Sequence, residues 1–231
     1  MGSLYENGRY LETTKTWHTE DSAWKAGHIL RLMRRNNLLP NTIVDVGCGA
    51  GQILKELAKD APTGQSFYGF DISPQAIALA TKASQPRIQF ECADVLAGDT
   101  TYDLLLAIDV AEHVPDYLTF LRACKGKARV KIYHIPLELS VSALLRNTVG
   151  SARYSLGHIH YFNAEIILAA LRDTGHEIID TLFTSGRIDL FWNAPSVRRA
   201  IANLPRWLVA KLHPEIAARL FGGFSILVLT R

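Results

Sequence analysis

The stretch Val44-Asp45-Val46-Gly47-Cys48-Gly49-Ala50-Gly51 constrains this chain more than any other. Thr42–Val46 reads as a buried strand, and it runs straight into glycines at alternate positions. Glycine is needed where backbone turns sharply after a strand and where a ligand lies against the main chain. A side chain at Gly47 or Gly49 would fill the space of such a ligand. The next segment, 52–59, reads as a helix with Ile53, Leu54 and Leu57 on one face. Its first turn offers free N–H groups and the positive end of the helix dipole. A tight strand-to-helix turn without a ligand fits the same glycines, so the flanking pattern has to decide.

That pattern is regular. Further strands read over 66–72, 87–92, 102–109 and 128–135, separated by helices over 73–82 and 115–124. Ser73 suits an N-cap, with Pro74 at the first helical position, where its missing N–H costs nothing. Strands spaced by helices imply βαβ units and a parallel sheet: one doubly wound α/β domain over 1–231. Beyond 135 the regularity breaks. The segment 136–162 is long and irregular, with a short helix over Val141–Leu145. Asn163 caps a helix over Ala164–Asp173, and 176–184 is a strand. The segment 195–220 reads as short helices restarted by Pro205 and Pro214, before a closing strand over Phe224–Thr230. An irregular stretch longer than about 15 residues inside a compact domain is usually functional or disordered, which makes 136–162 a candidate substrate-facing region.

Composition narrows the function classes. With 231 residues, 48% of them hydrophobic, the chain has material for a sizeable core. Its 25 basic and 22 acidic side chains leave a net charge of +3, too little for a nucleic-acid-binding surface. The cysteines, Cys48, Cys92 and Cys124, are odd in number and form no C-x-x-C pair, which fits a reducing cytoplasm. No apolar stretch resembles a signal peptide or a membrane span, so a cytoplasmic protein without stable membrane insertion is expected. The segment 198–219 mixes Arg198, Arg199, Arg206, Lys211 and Arg219 with apolar residues, the pattern of a surface helix with a core side.

Asp71 sharpens the glycine turn. It ends the second strand, about twenty residues beyond the glycines, where a carboxylate accepts hydrogen bonds from vicinal ribose hydroxyls. A dinucleotide enzyme would carry G-x-G-x-x-G, but here the spacing is G-x-G-x-G, with Gln52 in place of the last glycine. Asp45, just before the turn, would repel a pyrophosphate and attract an ammonium group. The charge pattern therefore argues against an NAD(P)-dependent oxidoreductase, which stands as the lesser alternative.

Four successive motifs resemble the class I S-adenosylmethionine-dependent methyltransferases, the small-molecule type similar to the ubiquinone-biosynthesis O-methyltransferases. They are Val44 to Gly51, Gly69-Phe70-Asp71-Ile72-Ser73, Phe90-Glu91-Cys92-Ala93-Asp94-Val95, and Tyr102-Asp103-Leu104 through Ile108-Asp109-Val110-Ala111-Glu112-His113-Val114-Pro115-Asp116. The resemblance implies a Rossmann-like seven-stranded sheet of order 3-2-1-4-5-7-6 with the last strand antiparallel. It implies S-adenosylmethionine as cofactor and S-adenosylhomocysteine as product. Gly47, Gly49 and Gly51 would back the methionine moiety, with Asp45 near its ammonium. Asp71 and Ile72 would hold the ribose, Asp94 and the Val95 amide the adenine, and Asp109 and Val110 the sulfonium end. Residues 1–40 would form an N-terminal helical lid, with Trp24 or Lys25 over the cofactor. The segments 136–162 and 185–223 would be insertions near the acceptor side or an interface.

The resemblance specifies the cofactor and not the acceptor. His113, at the C-terminal edge of the fourth strand, is the candidate base for an acceptor that must lose a proton, with Glu112 beside it; both also suit plain hydrogen bonds within the turn. His158 and His160, at i and i+2, point the same way in an extended segment, and with His134 and Glu138 they are metal-ligating types. A pocket wall or a helix lead-in accounts for them equally, and no metal is assigned. No Asn-Pro-Pro-Tyr-like tetrad follows the fourth strand. The expected acceptor is a small molecule methylated at oxygen or nitrogen by a monomer or homodimer, with a non-catalytic cofactor-binding protein as the alternative.

Overall fold

A computed structural model describes residues 21–82, 85–186 and 197–231, the last without the side chains of 197–203. Residues 1–20 of the expected lid and 187–196 of the long connection lie outside the described residues. The chain forms α1 (Ser22–Arg35), β1 (Thr42–Val46), α2 (Gln52–Ala58), β2 (Ser66–Asp71), α3 (Pro74–Thr81), β3 (Ile88–Cys92), β4 (Tyr102–Ile108), α4 (Tyr117–Lys125) and β5 (Ala128–Leu137). Then follow α5 (Val141–Leu145), α6 (Ser151–Ser155), α7 (Ala164–Asp173), β6 (Ile178–Thr184), α8 (Val197–Leu212), α9 (Pro214–Phe221) and β7 (Phe224–Thr230).

The strands make one seven-stranded sheet of order β3-β2-β1-β4-β5-β7-β6. The pairs β1–β2, β1–β4, β2–β3 and β4–β5 are parallel. β7 runs antiparallel to both β5 and β6. Because strand side chains alternate in direction, neighbours in β1 feed opposite layers. Ile43 joins Ile29 and Leu32 of α1 and Leu54 and Leu57 of α2. Val44 joins Phe120 and Leu121 of α4, Ile167 and Leu171 of α7, and Ala217 and Ala218 of α9. The central strands are buried on both faces, which is why they read as nearly continuous apolar runs.

The caps form as their sequences predict: Ser73 Oγ accepts from Ala76 N at 3.4 Å, and Asn163 Oδ1 accepts from Ile166 N at 2.8 Å. Elsewhere the structure departs from expectation. β5 continues past residue 135 to Leu137 because β7 pairs with it as far as Leu137↔Phe224. Pro205 does not restart a helix; it lies inside α8, whereas Pro214 does begin α9. Arg206, next to the proline, donates from Nη2 to the Phe221 carbonyl at the end of α9 at 3.2 Å. Among the described residues no helix is long and apolar enough to cross a membrane.

Candidate active site

The strand order reverses at β1 and β4, and a doubly wound sheet opens a crevice at the C-terminal ends of such strands. A cavity of about 990 Å3 lies there. Its wall includes Asp45, Gly47 and Gly49 after β1, Asp71 and Ile72 after β2, and Asp109, Val110 and His113 after β4. Gly51, Asp94 and Val95 stand outside that wall. Asp94 is exposed at the end of β3, where its Oδ1 accepts from Leu96 N at 2.9 Å and caps a short turn.

The glycine turn is shaped by what surrounds it. Gly47 has φ +72°, and a Cβ there would come 2.9 Å from Val110 Cγ2. Gly51, at φ +71°, would drive a Cβ into the Phe90 ring and against Ala80. Each therefore needs glycine for backbone angle and for space. Asp71 is fixed by amides: Gly49 N donates to Oδ2 at 2.9 Å and Ser73 N to Oδ1 at 2.8 Å. Burial pushes its carboxyl up against those two bonds. Asp45 is buried, and desolvation followed by the Asp71 charge raises it to about 8. Its Oδ1 has no hydrogen-bond partner among the described residues. A buried acceptor of this kind, beside a turn with room for a ligand, fits the ammonium of an amino-acid moiety, and Asp71 has lone pairs left for ribose hydroxyls.

Asp109 sits just beyond β4 in the left-handed region, φ +55°. The register that pairs Ile108 with His134 brings the His134 ring alongside, and Nδ1 donates to Asp109 Oδ1 at 2.5 Å. Lys25 of α1 reaches Asp109 Oδ2 at 2.7 Å and Asp21 at 2.9 Å. Desolvation opposes charge on Asp109, but the His134 and Lys25 charges hold its carboxyl well below the usual range. Desolvation likewise opposes the Lys25 ammonium, and Asp109 and Asp21 together push it above its ordinary value. So Lys25 and Trp24 do reach the cavity wall from α1.

The far end of the cavity is lined by Glu112, His113, Glu138 and His158. His113 Nδ1 donates to Gly157 O at 3.2 Å, and its ring meets His158 edge-on at 4.8 Å. His158 Nδ1 donates to Glu138 Oε1 at 2.9 Å. Glu112 is fully buried, and neither carboxyl oxygen has a hydrogen-bond partner among the described residues. Burial first, then the Asp109 charge, raise it well above a usual carboxyl. His160 turns away, its Nε2 donating to the Val114 and Pro115 carbonyls at 3.0 and 3.1 Å. The partnerships of His134 with Asp109 and of His158 with Glu138 are absent from any motif. Only strand register hints at the first.

Fold and site together define one crevice at the C-terminal ends of the strands, with the glycine turn at one end and the Glu112, His113 and His158 side chains at the other. The chain matches a family model described as a methyltransferase domain over residues 17–181, and it belongs to that family, within the class I S-adenosylmethionine-dependent methyltransferases. A ubiquinone biosynthesis O-methyltransferase of Vibrio parahaemolyticus is 26% identical over 161 residues, 63% of this chain and 67% of that protein. One from Actinobacillus pleuropneumoniae is 25% identical, covering 52% of this chain and only 58% of the relative's length. Magnesium protoporphyrin IX methyltransferase from Synechocystis PCC 6803, solved with bound S-adenosylhomocysteine, shares the fold at a TM-score of 0.62 and 18% identity, over 90% of this chain and 83% of its own. N-methyltransferase NodS from Bradyrhizobium japonicum WM9 does so at a TM-score of 0.58 and 15% identity, over 94% and 89%. The cofactor is S-adenosylmethionine.

Proposed function

We propose that this protein transfers a methyl group from S-adenosylmethionine to an oxygen or nitrogen of a small-molecule acceptor. The observation that carries the reading is the continuity of one cavity from the glycine turn past Asp109 to His113 and His158. At about 990 Å3 it suits a cofactor and a compact second molecule better than a polymer. Asp45, Gly47, Gly49 and Lys25 are assigned to the amino-acid end, Asp71 and Ile72 to the ribose, and Asp94 and Val95 to the adenine at the open side. Gly51 supports the turn from behind. Asp109 and Val110 border the reacting end, and His113 is assigned to the acceptor's nucleophile.

The sulfonium supplies an activated methyl group and leaves as a neutral thioether. The chain has only to bind, align and exclude water, and a base helps when the acceptor must shed a proton. Three unpaired thiols, two of them buried, suit a reducing cytoplasm, and the protein is assigned there as a monomer or homodimer. The test is S-adenosylhomocysteine release against a panel of phenolic, alcoholic and amino small molecules. Turnover with at least one is expected, and His113→Ala should lower kcat about 100-fold with S-adenosylhomocysteine affinity unchanged. Turnover confined to protein or RNA substrates would overturn the reading.

A further inference from the structure

Among the described residues the cavity wall carries six carboxyl groups and, besides its histidines, two cations, Lys25 and Arg146. Four of the carboxyls are accounted for. Asp45 faces the amino-acid end of the cofactor, the Gly49 and Ser73 amides grip Asp71, and Asp21 and Asp109 share the Lys25 ammonium. The other two, Glu112 and Glu138, stand at the acceptor end, close enough for the Glu138 charge to oppose ionisation of Glu112. Glu138 Oε1 accepts from His158 Nδ1 at 2.9 Å. Its Oε2 is buried without a partner among the described residues, and so are both oxygens of the fully buried Glu112. Arg146 is exposed, and its Nε donates to Ser142 O at 3.1 Å within its own turn. Buried acceptors left without donors are costly, and a charged donor answers them better than a neutral one.

We infer that Glu112 and Glu138 bind an ammonium group on the acceptor, so that the substrate is a small molecule bearing a primary amine. The match is one of number as well as charge: a primary ammonium offers three N–H donors, and three carboxyl oxygens wait at this end. A hydroxyl brings one donor and no charge, and a carboxylate or phosphate would meet two like charges. Burial and the Asp109 charge hold the empty Glu112 carboxyl in its protonated form. An ammonium arriving beside it favours the ionised form, and the carboxyl proton passes to solvent as the pair forms. His158, bonded to Oε1, leaves Oε2 of Glu138 for the ligand and serves as a positioning residue. The inference rests on the small-molecule reading above and narrows it to amine-bearing acceptors.

The experiment is a ligand-observed NMR titration of the full chain, saturated with S-adenosylhomocysteine, with matched amines and alcohols: benzylamine and benzyl alcohol, tyramine and tyrosol, ethanolamine and ethylene glycol. The amine of at least one pair should bind about tenfold more tightly than its alcohol. Glu112→Gln and Glu138→Gln should each weaken binding of that amine about tenfold. Both variants should bind the alcohols and S-adenosylhomocysteine as the parent does, which a merely structural role would not predict. Amine selectivity that survives both substitutions overturns the site, and so does the absence of selectivity in all three pairs. If selectivity is absent while alcohols or phenols are methylated, the ammonium site fails and the methyltransferase reading stands.

Discussion

At the glycine end of the cavity, position is set by backbone: amides of Gly49 and Ser73 grip Asp71, and Gly47 N and Cys48 N donate to Phe70 O at 2.8 and 3.0 Å. At the other end, position is set by contacts between segments far apart in sequence. Ile159 N and His160 N both donate to Glu112 O, His113 reaches Gly157, and His158 reaches Glu138. Ordering by neighbouring strands and their turns makes the first end a consequence of the sheet itself. The second exists only once the 138–160 region has docked against the turn after β4, so its chemistry can change without disturbing the fold. The contrast is between a site that the fold cannot lack and one that the fold merely permits.

The largest expected effect probes the backbone end. Gly51→Ala must place a non-glycine residue at φ +71° and push a methyl into the Phe90 ring. Left-handed strain and overpacking together should cost about 3 kcal/mol, a fall in Tm of about 6–12 °C by calorimetry. Affinity of the folded fraction for S-adenosylhomocysteine should be unchanged. A loss of affinity without a loss of stability would place Gly51 against the cofactor and break the comparison.

Asp71→Ala comes next. Charge-assisted hydrogen bonds to ribose hydroxyls are worth about 1.5–3 kcal/mol each, so S-adenosylhomocysteine binding should weaken about 100-fold in a titration. Asp71→Asn keeps one acceptor oxygen and should fall between the alanine variant and the parent. Equal loss in both would mean that the charge on Asp71, and not its geometry, supports the cofactor.

These two positions also show what a sequence discloses. The alternation of strands and helices, the glycine turn, the Ser73 and Asn163 caps and the place of Asp71 all follow from local spacing, because each is fixed by residues within a few positions or by the next strand, whereas the strand order came only with the family resemblance. The length of β5 was not legible, since its last residues are strand only through pairing with β7. Nor was the continuation of α8 through Pro205, which local propensity opposes. Glu112 and His113 are visible as a polar pair after β4, but nothing in their own segment reveals that Gly157 and His158 close over them. His158 and His160 look equivalent by alternation, yet one lines the cavity and the other braces the turn at Val114 and Pro115.

The smallest effect tests whether the backbone end is already strained for its ligand. Asp45 is buried, one oxygen has no partner among the described residues, and its carboxyl is held at about 8 where 3.8 is ordinary. A carboxyl raised in the folded state contributes its full stability below the ordinary value and loses it as pH climbs from about 4 to about 8. A side-chain amide cannot ionise, so Asp45→Asn should remove that decline. As pH rises from 5 to 8, the melting temperature of the ligand-free variant should therefore climb relative to the parent's, with the widest gap near pH 8. Cofactor binding should move the opposite way, because an ammonium bound beside Asp45 favours the ionised carboxylate that the empty fold resists. The variant should therefore gain stability and lose affinity for S-adenosylhomocysteine. Loss of stability at pH 8 would mean that the carboxylate has a partner in solution, and the stored electrostatic cost at this end of the cavity would be absent.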